Sequence, residues 1–424
     1  MGETHTKSTS KATLVAYLST IELPDRVMDS SFVPYRLAAS YLREKIAEAP
    51  ALVELPSVGI VCGSGLSGLP EILDRDDDCQ RGGATLVIPY SSIPGFPSRS
   101  CSDVGSVGEV VFGRLNSVPT VCFCGRFHSY EGYDMKTVVL PVCVMRCLSV
   151  KVCIITNAAG ALNPRYNVGD LVAVSDHLAL PLLAGKNPLV GPNDEELGPR
   201  FPPTSNAYPE TLREAAKRAA EKLEMSDAFK ADGTYCFVTG PQYESRAECR
   251  FLRSLGGDAV GMSTVPEVIT AHYSNLQVLC LSLITNKVVT EEDSTSHDPA
   301  VSHVSHADVL QVVKRRSTQM QQLVKEIVCS VQDEVLPKLP PLRKISSVVA
   351  FAPAPVSSSN DSPQKIGNMK LHSKRPVGMG SSNVQHRRKS SDHDASRLWI
   401  GAALVAAAVS IGVVRSSSRI YTPC

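Results

Sequence analysis

The 424-residue sequence has almost no net charge, and this lack conceals an uneven distribution. The formal charge at pH 7 is +1, from 43 Lys and Arg against 42 Asp and Glu. Residues 341–397 carry a net charge of +7 and are followed by Arg415 and Arg419, so the rest of the chain has a net charge of −8. Nucleic-acid-binding domains present a basic face. The acidic main part therefore argues against a nucleic-acid partner.

Paired cysteine motifs and a secretion signal are also missing. None of the 13 cysteines has the Cys-x-x-Cys or Cys/His spacing of a zinc site. Several, including Cys62, Cys153 and Cys280, lie inside apolar runs, and buried free thiols are typical of a reducing compartment. The N-terminal MGETHTKSTSK lacks the apolar core of a signal peptide. We expect a cytoplasmic catalytic or binding domain without a structural metal.

The glycine-rich turn after the first predicted strand lacks the endings of the common nucleotide motifs. Val58–Cys62 is a short apolar run that leads into Gly63–Gly68. The turn has neither a Gly-Lys-Ser/Thr ending nor a Gly-x-Gly-x-x-Gly fingerprint. Small residues ahead of a helix do leave N–H groups available to an anion, and Ser64 adds a hydroxyl. Taken alone, the turn is better explained by a structural role.

What the sequence does have is a regular alternation of strands and helices, which indicates an α/β fold. We expect a single domain with a mixed, largely parallel central sheet flanked by helices. Strands are predicted at Val58–Cys62, Thr85–Pro89, Glu109–Phe112, Thr120–Cys124, from Val152 up to Asn157, and at Gly169–Ser175, Gly233–Thr239, Asp258–Gly261 and Gln277–Ile284. Helices are predicted from Pro34 to Ala49 and at Lys136–Leu148, Thr211–Glu224, Val265–Tyr273 and Ser302–Val331. The Pro- and Gly-rich segments Ser91–Gly108 and Ala184–Ala207 are predicted to be long loops.

Small or polar residues follow several of these strands. The run Val152–Ala161, VCIITNAAGA, reads as a buried strand that opens into a small-residue turn at Asn157. After Cys124, alternation places Arg126, His128 and Tyr130 on one side of the chain. Ligands of open α/β sheets bind beyond the carboxyl ends of the strands. The sequence therefore predicts one pocket built from these strand ends.

Six segments carry a resemblance to a known family. GSGLSGL, GRFHSYEGY, TNAAGALNP, GPQYES, GMSTVPEV and SLITNKV resemble, in sequence and in order, segments of the trimeric purine nucleoside phosphorylases, over about residues 30–335. The resemblance implies reversible phosphorolysis of 6-oxopurine ribonucleosides or deoxyribonucleosides, such as inosine and guanosine, to the free base and (deoxy)ribose 1-phosphate. It also implies a homotrimer that uses inorganic phosphate as co-substrate and needs no metal or organic cofactor.

The same resemblance implies roles for individual residues. Phosphate would be held by Ser64, Arg126, His128, the backbone N–H of Ala158, and Ser263. The nucleoside would contact Tyr130, Tyr243, Glu244, Val260, Met262, Asn286 and His306, and Phe201 would be lent to a neighbouring subunit's site. Asn286, His128 and Glu244 are the expected catalytic residues.

These residue types suit the chemistry. Cleavage of the glycosidic bond places positive charge on the ribose and negative charge on the leaving purine. Asn286 would donate to N7 of the purine, and ionised Glu244 would accept from its N1–H. Adenine has no proton on N1, and an unpaired buried acceptor costs about 1–3 kcal/mol. We therefore expect inosine and guanosine to be preferred over adenosine.

Three departures from the family pattern leave alternatives open. Ser106 stands where the family often has a loop histidine near phosphate, Ala161 replaces a glycine, and Gln242-Tyr243 replaces the commoner Ser-Phe. A methylthioadenosine phosphorylase is a second interpretation. Asn286 argues against it, because a methylthioadenosine phosphorylase would be expected to have an acidic residue at this position. A catalytically weak membrane-tethered binding or scaffold protein is a third, motivated by Ser106 and the tail.

Composition separates both ends of the chain from the catalytic domain. Residues 1–30 are predicted to be a flexible N-terminus ahead of a catalytic domain at 31–335, and the Ser-, Pro- and Lys-rich residues 336–396 to be a disordered basic linker. Leu398–Val414 has no charged side chain and is flanked by Arg397 and Arg415. At about 1.5 Å per residue this run just crosses a hydrocarbon core. We predict a single transmembrane anchor at 397–415, a short tail at 416–424, and a catalytic domain facing the cytosol.

Overall fold

A computed structural model of the chain describes residues 33–49, 54–63, 68–73, 85–97, 108–290 and 306–346, apart from the side chains of Val33 and His306. These residues belong to one compact unit. The predicted flexible N-terminus, linker residues 347–396, the candidate anchor and the short tail lie outside them. Within these ranges, no helix combines the length and the apolar character needed to cross a bilayer.

Strands and helices alternate along this part of the chain. The strands are β1 (Val58–Cys62), β2 (Leu86–Pro89), β3 (Glu109–Leu115), β4 (Val118–Cys124), β5 (Val152–Ala161), β6 (Leu171–Leu178), β7 (Phe229–Phe237), β8 (Ala259–Gly261) and β9 (Gln277–Lys287). The α-helices are α1 (Val33–Glu48), α2 (Met135–Val138), α3 (Leu140–Cys147), α4 (Leu180–Leu183), α5 (Glu210–Lys222), α6 (Arg246–Ser254), α7 (Val265–Tyr273) and α8 (His306–Ser330). Short 3₁₀ helices lie at Leu69–Ile72, Tyr90–Ser92, Ser129–Glu131, Ser226–Ala228 and Leu336–Lys338, and a π turn lies at Val331–Val335.

The strands form one sheet in the order β2-β3-β4-β1-β5-β8-β7-β6-β9. Because β9 also pairs with β5, the last five strands in this order close into a ring. Parallel pairs join β1 to β4, β1 to β5, β5 to β9, β6 to β7 and β7 to β8, whereas the other described pairings are antiparallel. The expected mixed α/β sheet is confirmed, but parallel pairs are only a small majority and the ring was not predicted.

Helices cover both faces of the sheet. On one face, Leu42 of α1, Met145 of α3 and Val268 of α7 belong to one buried cluster. On the other, Ala216 of α5 and Leu323 of α8 belong to a second. Strands covered on both sides are apolar at nearly every position rather than at alternate ones, and this is why the central strands appear in the sequence as continuous apolar runs.

The predicted turn at Asn157 was wrong. Strand β5 continues to Ala161, because its backbone pairs with β9 along its whole length and Gly160 and Ala161 also pair with β8. The register shifts between Ala159 and Gly160, which marks a bulge. A side chain at Gly160 would lie 3.1 Å from the Asn286 amide nitrogen, so glycine lets the two strands approach closely.

Other boundaries also differ from the predictions. The predicted helix at residues 136–148 is divided into α2 and α3, because Pro141 has no N–H to donate to the preceding turn. Strand β9 extends three residues past Ile284, and β7 begins four residues before Gly233. The long irregular loop that follows α4 is confirmed, because no helix or strand lies between Leu183 and Glu210.

Candidate active site

One cavity lies beside the carboxyl ends of β4, β5, β8 and β9. Its volume is about 120 Å³, and it opens to solvent on one side. The predicted site residues that line it are Arg126, His128, Tyr130, Ala158, Tyr243, Glu244, Val260, Met262, Ser263 and Asn286. Residues from five separate stretches of sequence thus meet at one site, as the prediction of converging strand ends requires.

Arg126 is buried at one wall of this cavity, directly after β4. Its Nη1 donates to the Ser263 hydroxyl at 2.7 Å, and its Nη2 donates to the Thr156 carbonyl at 2.8 Å. Arg126 and Glu267, which are 3% and 2% exposed, form an ion pair at 3.4 Å. The guanidinium is therefore fixed from several sides, and its planar donors are suited to an oxyanion.

His128 stands next to Arg126 along the chain and is held by Glu131. The Glu131 carboxylate accepts from the His128 backbone N–H at 2.8 Å and lies 3.3 Å from Nδ1. The His128 ring stacks on the Tyr130 ring, with centroids 4.6 Å apart. A carboxylate at Nδ1 favours the tautomer with hydrogen on that nitrogen. Residues 129–131 form a 3₁₀ turn rather than an extended chain, yet His128 and Tyr130 still both reach the cavity.

A strained turn carries Ser263 at the start of α7. Thr264 has φ 82° and ψ −57°, and the N–H of Val265 donates to the carbonyl of Ser263 at 3.0 Å. These features define a classic γ-turn, which is rare and strained. Such a conformation in a non-glycine residue costs of order 1–3 kcal/mol and is found mainly at functional sites.

The loop that contains Ser64 begins beside this site. Ser64 lies outside the described residues, but the preceding Gly63 donates its N–H to the Thr156 hydroxyl at 3.0 Å. A side chain at Gly63 would come within 2.5 Å of the Thr156 carbonyl oxygen and 2.9 Å of the Asn157 Cα. Glycine is therefore required where the loop leaves β1.

Glu244 and Asn286 occupy another part of the cavity wall. Burial, with a smaller contribution from Glu248, raises the pKa of the Glu244 carboxyl above its usual value. Burial and the nearby Glu244 raise the pKa of the Tyr243 hydroxyl, which keeps it protonated at neutral pH. The Thr285 hydroxyl donates to Asn286 Oδ1 at 3.1 Å, which orients the amide and leaves Nδ2 to act as a donor.

Two further predicted residues stand apart from this wall. Phe201 does not line the cavity; it is 86% exposed on the long loop after α4 and lies against Arg200. His306 is the first residue of α8, one turn before Val309, which does line the cavity. Ser106 lies outside the described residues.

Sequence reasoning missed several residues of the cavity wall and of the shell behind it. Asn157, Ala159, Gly160 and Thr285 line the cavity because β5 and β9 run along it instead of stopping at its edge. Glu131, Thr156, Thr264 and Glu267 hold the lining residues in place. All of these residues lie in or next to the six segments that carry the family resemblance. The resemblance therefore identified the right parts of the sequence, although not these individual residues.

Comparison with known proteins agrees with this geometry. The family model described as "Phosphorylase superfamily" matches residues 57–328. A purine nucleoside phosphorylase from Bos taurus is 42% identical over 280 residues, which cover 65% of this chain and 89% of that protein. This chain belongs to the purine nucleoside phosphorylase family.

Solved structures of family members are similar to the chain. A Schistosoma mansoni purine nucleoside phosphorylase in complex with inosine is 37% identical and has a TM-score of 0.61, covering 73% of this chain and 98% of that one. Isoform 2 from the same organism, in complex with cytosine and ribose-1-phosphate, is 38% identical with a TM-score of 0.61, covering 70% and 96%. The fold expected from the resemblance is therefore confirmed.

Proposed function

We propose that this protein catalyses the reversible phosphorolysis of 6-oxopurine nucleosides. A nucleoside and inorganic phosphate give the free purine and (deoxy)ribose 1-phosphate. The observation that carries the proposal is that oxyanion donors, Arg126, His128 and Ser263, line the same cavity as Glu244 and Asn286, which match the polar edge of a 6-oxopurine. Family members bound to inosine or to ribose-1-phosphate support it.

The residues account for the reaction without a metal or organic cofactor. A phosphate oxygen forms a bond to C1′ of the sugar while the bond from C1′ to N9 of the purine breaks, and the electron pair leaves with the base. Arg126, His128, Ser263, Ser64 and the Ala158 N–H would hold phosphate. The phosphate charge then stabilises the positive charge that develops on the sugar.

The departing purine gains negative charge, which donors on the protein stabilise. Asn286 Nδ2 donates to N7, and Glu244 accepts from N1–H, a hydrogen bond that favours the ionised carboxylate. Tyr243 and Val260 contact the ring, while Tyr130, Met262 and His306 contact the ribose. A base without a proton on N1 would leave Glu244 facing a second acceptor, so the site selects 6-oxopurines over adenine.

A homotrimer is part of the proposal. Phe201, Leu183 and Val190 line a shared surface cavity and are 86%, 82% and 60% exposed. Large apolar side chains that are grouped and exposed mark interaction surfaces. We infer that Phe201 completes a neighbouring subunit's nucleoside site. Sedimentation of the purified protein would give a mass near three times 45.5 kDa, and a monomer that is fully active would contradict this.

A membrane anchor at residues 397–415 is the remaining part. Seventeen residues without charge between Arg397 and Arg415 match a short span, and the basic residues 336–396 would be attracted to anionic lipid. Cofloatation of the full chain with anionic vesicles, lost when 397–424 are removed, would support the anchor. If the full chain and the chain without 397–424 are recovered equally in the soluble fraction, the anchor is refuted and the enzymatic proposal is unaffected.

One assay separates the candidate functions. Hypoxanthine release from inosine is measured with and without phosphate, beside methylthioadenosine as a second substrate. Phosphate-dependent cleavage of inosine supports the proposal, whereas cleavage of methylthioadenosine alone would support the second interpretation. Binding of nucleoside with turnover of neither substrate would instead favour a catalytically weak scaffold protein.

A further inference from the structure

We propose that Glu267 is a positioning residue for phosphate, because its one carboxylate holds both Arg126 and the strained turn that carries Ser263. This inference rests on the function proposed above and concerns its phosphate half. Glu267 lies in the segment GMSTVPEV, behind the cavity wall, and is 2% exposed. No step of the reaction proposed above uses it directly.

The first task of Glu267 is to balance the buried charge of Arg126. Its Oε1 lies 3.4 Å from Arg126 Nε, and within the described residues Nε has no hydrogen-bond partner. The two remaining arms of the guanidinium donate to Ser263 and to the Thr156 carbonyl, which are neutral. Glu267 is thus the anion that lets a cation stay buried at this place before phosphate arrives.

The second task is to hold the γ-turn. Glu267 Oε2 accepts from the N–H of Thr264 at 2.7 Å, and this N–H belongs to the residue with φ 82°. The Thr264 hydroxyl also accepts from Asn157 Nδ2 at 3.0 Å. The turn fixes the direction in which the chain leaves β8, and so it fixes Ser263.

Only a carboxylate can perform both tasks at once. It has two oxygens that can accept and no donor: Oε2 accepts from the Thr264 N–H, while Oε1 faces the Arg126 Nε–H in an ion pair and makes no hydrogen bond among the described residues. A glutamine of the same size has one accepting oxygen, so its amide must turn an NH₂ group toward either Arg126 or Thr264. In each orientation one phosphate ligand loses its support, while the nucleoside residues Glu244 and Asn286 keep theirs.

The chain contains a matched control. At the start of α6, Glu248 occupies the same helical position, and its Oε2 accepts from the Ser245 N–H at 2.7 Å. No arginine forms an ion pair with Glu248 among the described residues. E248Q therefore makes the same change at a helix start where glutamine can still serve the single donor.

The experiment measures the KM values for phosphate and for inosine in full-length wild type, E267Q, E267D and E248Q, with thermal unfolding of each. We expect E267Q to raise the phosphate KM at least tenfold and the inosine KM less than threefold. Aspartate keeps a negatively charged carboxylate, which accepts hydrogen bonds and donates none. E267D should therefore raise the phosphate KM less than E267Q does. In E248Q the phosphate KM should stay within twofold of the wild-type value.

A merely structural role predicts a different pattern. If E267Q unfolds at a lower temperature but keeps its phosphate KM within twofold, or if both KM values rise equally, the inference is wrong. If E267Q does not fold, E267D decides: a threefold or larger rise confined to phosphate supports the inference, and no rise overturns it. Wild type without phosphate-dependent turnover would instead refute the proposed function, and this inference with it.

Discussion

Replacing Glu244 by alanine is the sharpest single test of the base end of the site. Glu244 lines the cavity, and burial raises its pKa, as expected for a carboxylate partly removed from water. In the proposed complex it accepts a hydrogen bond from purine N1–H. The substitution removes that acceptor and leaves the N1–H without a partner in a site that excludes part of the solvent.

The size of the effect follows from the charge on the acceptor. Hydrogen bonds to charged groups contribute about 1.5–3 kcal/mol, and about 1.4 kcal/mol corresponds to a factor of ten in rate. We therefore expect Glu244→Ala to lower kcat/KM for inosine by roughly 10- to 150-fold. Adenosine, which has no N1–H to donate, should change far less, so the preference for inosine should largely disappear.

The assay is spectrophotometric detection of hypoxanthine release at saturating phosphate, with adenosine measured in parallel. Glu248→Ala, assayed at neutral pH, is the control, because Glu248 is exposed, its hydrogen bonds with Ser245 lie at the start of α6, and its charge influences Glu244 only through the pKa of that carboxyl. A loss below threefold for inosine in a folded Glu244→Ala protein would refute the assigned role. So would an equal loss for both nucleosides.

Four further predictions concern the site. Asn286→Ala should lower kcat for inosine by about 100-fold, as expected for loss of a donor to developing negative charge, with a smaller change in KM. Steady-state kinetics that resolve kcat and KM would check this. An unchanged kcat would contradict it. Gly63→Ala should raise the phosphate KM and lower the melting temperature, since its side chain would meet backbone atoms at 2.5 and 2.9 Å; unchanged values would mean that the loop tolerates the shift. Because the raised pKa of Glu244 makes the carboxyl take up a proton at a higher pH than an ordinary glutamate, kcat/KM for inosine should fall on the acid side above pH 4.5. Glu248→Gln should move that fall to lower pH, since the Glu248 charge contributes to the raised value; a pH profile that does not move would contradict this origin.

The residues that line the cavity were largely predictable because each follows an apolar run in a recognisable segment. Arg126 and His128 follow β4, and Asn286 lies near the end of β9. A strand core is encoded locally by continuous apolar residues, so the position of its end, and with it the position of the site, could be read within a few residues.

What the sequence did not show depends on contacts between distant segments. Asn157 to Gly160 looked like a turn because small residues favour turns, yet pairing with both β8 and β9 keeps them in the strand. Closure of the ring by β5 and β9 has no local signal at all. The division of the helix at Pro141 did have a local signal, the proline itself.

The supporting shell was missed for the same reason. Glu267 reads as an ordinary acidic residue in the first turn of α7, where acids are favoured by the helix dipole. Only the fold places it 3.4 Å from Arg126, which comes 141 positions earlier in the sequence. The role of a residue that acts through another side chain can be recognised only once the fold shows which side chain it contacts.

The most direct measurement of the central claim is the balance of products formed from inosine by the purified full-length chain. We predict that hypoxanthine and ribose 1-phosphate appear in equal amounts, only when phosphate is present, and that both fall together in Glu244→Ala. Hypoxanthine released with free ribose, or at the same rate without phosphate, would contradict the account.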